Sequence, residues 1–220
     1  MRTKLSVILT IMRELYDIIL GFSIIVALTQ HRYWKTDGLM IIGLLLVLTG
    51  IIEYLGAWMS SNEVHNEWLY NVFFVIEFSF FVLAIFKEIS NLFYKRIIAF
   101  FYFSYIILVI INIIFLQPIT QFHIYTFTFG SFVMVITSSL FLYELVNNTE
   151  DDFFREPFFW ICTGLLFFYT GNFLLMSSLN YVNSNFKGLA KKLFLITELL
   201  SILEYLLFIM AFLCRRIFRT

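Results

Sequence analysis

Two glutamates, Glu77 and Glu198, each stand inside a long apolar run. A carboxylate held in hydrocarbon costs about 3 kcal/mol or more, so it faces a partner or a water-filled cavity. Six more polar residues interrupt comparable runs: Glu53, Tyr70, Asn71, Asn112, Asn172 and Glu204. Helical spacing sets Tyr70 and Glu77 on one face, and does the same for Thr197 with Glu204 and for Glu198 with Tyr205. These eight residues are read as the ligand-binding set of an intramembrane polar pocket. No catalytic residue is assigned, and no metal or cofactor is implied. In the competing reading each group only ties helices together, through interhelical hydrogen bonds worth about 0.6 kcal/mol apiece.

The chain that must position them has 220 residues, 61% hydrophobic, 20% aromatic and 14% charged. Soluble domains carry about 25% charged residues. With a mean hydropathy of +0.89, the class is an integral membrane protein. A net charge of zero leaves no basic footprint for nucleic acid. Cys162 and Cys214 sit in or at the end of apolar runs and read as small buried hydrophobes. The basic start, Arg2 and Lys4, resembles that of a signal peptide. However, Arg13 and Glu14 break the run early, which predicts a retained first helix.

Seven segments are long enough to span a bilayer, at about residues 8–30, 38–59, 67–87, 96–116, 122–145, 157–179 and 190–213. The expected fold is all-α: one polytopic domain over residues 1–220, a seven-transmembrane-helix bundle. Asn66 is expected to cap the third helix, and Pro157 to occupy the first turn of the sixth. Barrel strands are rejected because the runs are long and do not alternate.

Seven spans put the termini on opposite sides. Nine Lys and Arg then fall on one side (Arg32, Lys35, Lys87, Lys95, Arg96, Arg155, Arg215, Arg216, Arg219) and six on the other (Arg2, Lys4, Arg13, Lys187, Lys191, Lys192). The excess predicts a cell (inner) membrane protein with its N-terminus outside and its C-terminus cytoplasmic. Trp58 and Trp68 would flank the outer interface, and Trp34 and Trp160 the inner one. The pocket then opens outward.

A shift of 121 positions aligns the second and third helices with the sixth and seventh. Gly43 meets Gly164, Thr49-Gly50 meets Thr170-Gly171, Asn62 meets Asn183, and Glu77 meets Glu198. Such a repeat would give a parallel three-plus-one-plus-three plan, with sites at the repeat interface. Glu77 and Glu198 would then form a carboxylate pair holding a proton or a cation between them.

The segment Asn66–Phe78, with Asn66, Trp68, Tyr70, Asn71 and Glu77, resembles that of small uncharacterised bacterial seven-helix integral membrane proteins. The resemblance covers mainly the third helix and implies a location rather than an activity. The repeat plan is also similar to that of small sugar transporters, although their proline-glutamine motif is absent.

Three functions are weighed. First is a sensor or receptor-like module binding a small ligand or cation in the outward-facing pocket, with the lipid bilayer and a protein on the cytoplasmic side as partners. Second is a small-solute or proton-coupled transporter. The last is an intramembrane enzyme using Glu53, Glu77 or Glu198 as acid or base. A retinal protein is rejected because Lys191 and Lys192 lie at the end of the seventh helix, not in its middle. None of His31, His65 and His123 lies deep in a span. The run Glu150-Asp151-Asp152 reads as a solvated loop.

Overall fold

A computed structural model describes residues 2–30, 37–148, 153–185 and 187–217. His31, Arg32, Trp34, Lys35, Glu150, Asp151, Asp152 and Arg219 lie outside the described residues. So do the side chains of Arg2, Lys4, Asn183, Lys187, Lys191, Lys192, Arg215 and Arg216.

Seven long helices organise the chain: α1 (Arg2–Thr29), α2 (Asp37–Ser61), α3 (Glu67–Glu88), α4 (Leu92–Ile111), α5 (Ile124–Asn148), α6 (Pro157–Asn185) and α7 (Lys187–Ile217). No strand occurs among the described residues. Six helices, α2 to α7, are long and apolar enough to cross a membrane, which is the character of a helical multi-pass membrane protein. α1 has the length but carries Arg13, Glu14 and Asp17.

Local chemistry sets the helix ends. Pro157 opens α6, where its missing N–H would be unpaired in any case. Asn66 immediately precedes α3 but does not cap it. Its amide instead donates to the Gly56 carbonyl at 3.0 Å, tying α3 to α2. α4 begins at Leu92, earlier than expected, because the Asn91 side chain accepts from the Phe93 N–H at 2.8 Å. It continues through a π-helical turn, Asn112–Leu116, that stops just before Gln117-Pro118. α2 ends in a left-handed cap at Glu63, with φ of 57°. There the Glu63 N–H donates to the Ser60 carbonyl at 3.2 Å, and the Val64 N–H to that of Met59 at 2.9 Å. These are the two bonds of a Schellman motif.

Each helix packs on the next, and α1 packs on α7, so the seven close a ring. Packing is densest where α6 meets α7 and α5. Gly164 and Gly171 lie at the α6–α7 contact. A Cβ at Gly164 would lie 3.4 Å from the Glu204 carbonyl and from the Leu207 Cβ, and one at Gly171 would strike the Leu200 side chain. Where lipid replaces water, close backbone approach of this kind is what holds helices together.

α3 reaches furthest into the ring. Its Phe74 packs on Phe127 of α5 (centroids 4.8 Å apart), and its Phe78 on Tyr105 of α4 (5.4 Å) and Tyr169 of α6 (5.1 Å). Phe81 packs on Phe208 of α7 at 6.0 Å. One end of the assembly carries the α2–α3 and α4–α5 connections. The other carries the α3–α4 connection and the C-terminal part of α7, where the Cys214 thiol donates to the Phe154 carbonyl at 3.2 Å.

Candidate functional site

Near the α2–α3 end, three helices converge on Glu53. From α1, Arg13 Nη2 donates to Glu53 Oε2 at 2.7 Å. The Tyr16 hydroxyl donates to Glu53 Oε1 at 3.1 Å. From α3, the Tyr70 hydroxyl donates to Oε2 at 3.5 Å. Gly56, one turn further along α2, leaves room for Tyr70, since a Cβ there would collide with its hydroxyl. Glu53 is 18% exposed and Arg13 43%, so the pair is sheltered but within reach of water. The guanidinium also lies over the Tyr16 ring, 4.9 Å from its centroid, and pairs with Asp17 at 3.4 Å.

Glu198 of α7 belongs to this cluster, with Arg13 and Asp17 as its charged neighbours. Its Oε2 is buried without a hydrogen-bond partner. Glu53 and Asp17 pair with the one guanidinium, and the Glu198 carboxyl lies within its electrostatic reach. Carboxyl groups therefore outnumber the positive charge at this end of the ring.

Deeper in the ring lies a second group. Glu77 keeps a strip of accessible surface, yet protein atoms crowd its carboxyl on all sides. Glu204 of α7 is 4% exposed and interacts electrostatically with Glu77. Tyr169 of α6 lies close to both. Its hydroxyl is near the Glu77 carboxyl, but the contact falls short of good hydrogen-bond geometry, and the hydroxyl is buried without a partner. Glu77 is within electrostatic reach of Glu204 and Glu53, and Glu198 within that of Arg13 and Asp17 of α1. The two glutamates aligned by the 121-residue shift have different surroundings.

The asparagines have other roles. The Asn71 amide nitrogen donates to the carbonyls of Ile119 (3.1 Å) and Gln121 (2.8 Å), and its oxygen accepts from the His123 N–H at 2.9 Å. Both of its N–H donors and one oxygen lone pair hold the α4–α5 connection, leaving it no donor for a ligand. Asn172 donates to the Phe168 carbonyl at 3.0 Å and accepts from the Thr197 hydroxyl at 3.0 Å, joining α6 to α7. Asn112 is fully buried at the start of the π turn, and neither its oxygen nor its nitrogen has a partner.

Sequence reasoning missed Arg13, Tyr16 and Tyr205 as site residues. Arg13 and Tyr16 were visible as a polar cluster on one helix, but nothing in the chain says which helix they face. At the opposite end a cavity of about 200 Å³ is lined by Glu88, Glu144 and Glu156 among others. Glu144 is already committed there. Its Oε1 accepts from the N–H groups of Ser90 (2.7 Å) and Asn91 (3.1 Å), closing the start of α4.

Compared with protein-family models, curated proteins and solved structures, the chain matches none.

Proposed function

We propose that the protein is an integral membrane sensor, or receptor-like module, that binds a small cation in the pocket around Glu53. The observation that carries this reading is the excess of carboxyl groups about Arg13, together with an unpartnered oxygen on Glu198. A small organic ammonium, which supplies positive charge and several N–H donors, fits such a lining. In this reading all seven helices span the membrane as a bundle. α1 does so because Arg13 is neutralised by Glu53 and Asp17 while Ile11, Ile18, Phe22 and Ile25 would face lipid. The Lys and Arg excess sets the N-terminus and the α2–α3 end outside and the C-terminus in the cytoplasm. A cytoplasmic protein partner would read the bound state at the α3–α4 end.

Purified protein in lipid nanodiscs, screened by thermal unfolding against ammonium, putrescine, spermidine and inorganic cations, tests this reading. At least one cation should raise the melting temperature, and Glu198→Gln should abolish the response. A screen in which no cation stabilises the protein would contradict it.

A second reading, a proton-coupled small-solute transporter, is favoured by the deeper Glu77–Glu204 pair. Acidification of liposomes driven by a solute gradient would support it, and flux unaffected by Glu77→Gln would sink it. The parallel repeat belongs with this second reading.

A further inference from the structure

The deeper group holds two carboxyl groups and a phenol with no base beside them. Glu77 and Glu204 are faced by Glu53 from α2, Tyr105 from α4, Tyr169 from α6 and Tyr205 from α7. From α5 comes the apolar Phe127 ring, packed on Phe78, and from α1 the Tyr16 hydroxyl, beside that of Tyr205. No Lys, Arg or His of the described residues is among these neighbours. Two carboxyl groups confined together in a medium of low dielectric constant need a positive charge between them. The Tyr169 hydroxyl is fully buried and unpartnered, which carries a desolvation cost. That cost is relieved when it bonds to a carboxyl oxygen whose protonation state suits it. No cluster of three His, Cys, Asp or Glu suited to a metal ion occurs among the described residues.

We infer that Glu77, Tyr169 and Glu204 form a buried proton-binding site, connected to the α2–α3 end through Tyr205, Tyr16 and Glu53. Two links of the route are hydroxyl contacts, and the last is a proximity. Tyr16 donates to Glu53 at 3.1 Å and lies 3.4 Å from the Tyr205 hydroxyl, and Tyr205 stands within electrostatic reach of Glu77 and Glu204. A proton arriving from water at the Glu53 rim is passed on as each hydroxyl accepts one proton and releases another. It comes to rest on a carboxyl oxygen of the pair. No bond other than O–H forms or breaks, and no other reactant is needed. The site does not depend on a cation bound at Glu53 and is tested without one.

Infrared difference spectroscopy of ligand-free protein in nanodiscs reads the site directly. A pH step should change a protonated-carboxyl stretching band. Glu77→Gln and Glu204→Gln should each remove that change, and Glu198→Gln should leave it. In D2O the band should shift as deuterium enters, and Tyr205→Phe should slow that shift at least tenfold. Because Tyr205→Phe keeps the ring packed on Phe208 (centroids 6.2 Å apart), it tests the route even where a Gln variant does not fold. A pH-dependent band that survives both Gln substitutions would overturn the site. Deuterium entry equally fast in Tyr205→Phe would overturn the route.

Discussion

Tyr16 of α1 and Tyr205 of α7 meet hydroxyl to hydroxyl at 3.4 Å, with ring centroids 5.7 Å apart. The contact joins residues 189 positions apart and closes the ring between the first helix and the last. It also links two polar groups. Tyr16 is bonded to Glu53 in the sheltered cluster, and Tyr205 adjoins the deep carboxyl pair. A polar line therefore runs from partly exposed Arg13 towards the interior.

The two tyrosines make unequal contributions to stability. Tyr16→Phe removes a hydrogen bond to a carboxylate as well as the contact with Tyr205, and should cost about 1.5–3 kcal/mol. Tyr205→Phe removes only the long neutral contact, and should cost about 0.5–1 kcal/mol. Unfolding in detergent checks the order. Equal losses would mean that the Tyr16–Glu53 bond contributes nothing.

Asn71 is a fastener rather than a ligand group. Asn71→Ala leaves two carbonyls and the His123 N–H without their partner, and should destabilise the protein by about 2–3 kcal/mol. Asn71→Asp should not rescue it, because a carboxylate cannot donate to the Ile119 and Gln121 carbonyls. Both variants should keep their thermal response to cations. A variant of normal stability that has lost that response would return Asn71 to the ligand-binding set.

At the other end Glu144 acts on α4 from a distance in sequence. Its carboxylate holds the N–H groups of Ser90 and Asn91 at the helix start, where negative charge also suits the helix dipole. Glu144→Ala should cost about 1–2 kcal/mol. Amide exchange should accelerate at Ser90 and Asn91 before it does so elsewhere in α4. Unchanged protection at those two amides would refute the cap.

Glu63 occupies a left-handed conformation that an L side chain adopts at a cost of about 1–2 kcal/mol. Glu63→Gly should therefore raise stability by about 1 kcal/mol, read as a higher melting temperature. A lower one would show that the side chain contributes more than its backbone strain costs.

The helices were legible because apolar runs of this length admit few other structures, and each of the seven expected segments overlaps a helix. The start of α4 was less so, since the expected segment begins at Arg96 and leaves Leu92–Lys95 outside it. In fact these residues form the first turn of α4, and the Lys95 amine rests over the Phe86 ring at 5.3 Å. Faces were also legible. Glu198 and Tyr205 share one face, and both turn to α1; Thr197 and Glu204 share another, and both turn to α6. What periodicity cannot give is which helix lies opposite a face. That is decided by the packing of α1 on α7, which closes the ring. For this reason the polar cluster Arg13, Tyr16 and Asp17 is legible in the sequence, but its contact with Glu53 of α2 is not.

The most direct test of the cation pocket is calorimetric titration of the nanodisc-embedded protein with whichever cation most stabilises it, in wild type, Glu198→Gln and Asn71→Asp. Saturable one-site binding in wild type, weakened at least tenfold by Glu198→Gln and retained in Asn71→Asp, is the predicted result. Binding of equal strength in wild type and Glu198→Gln would contradict the account.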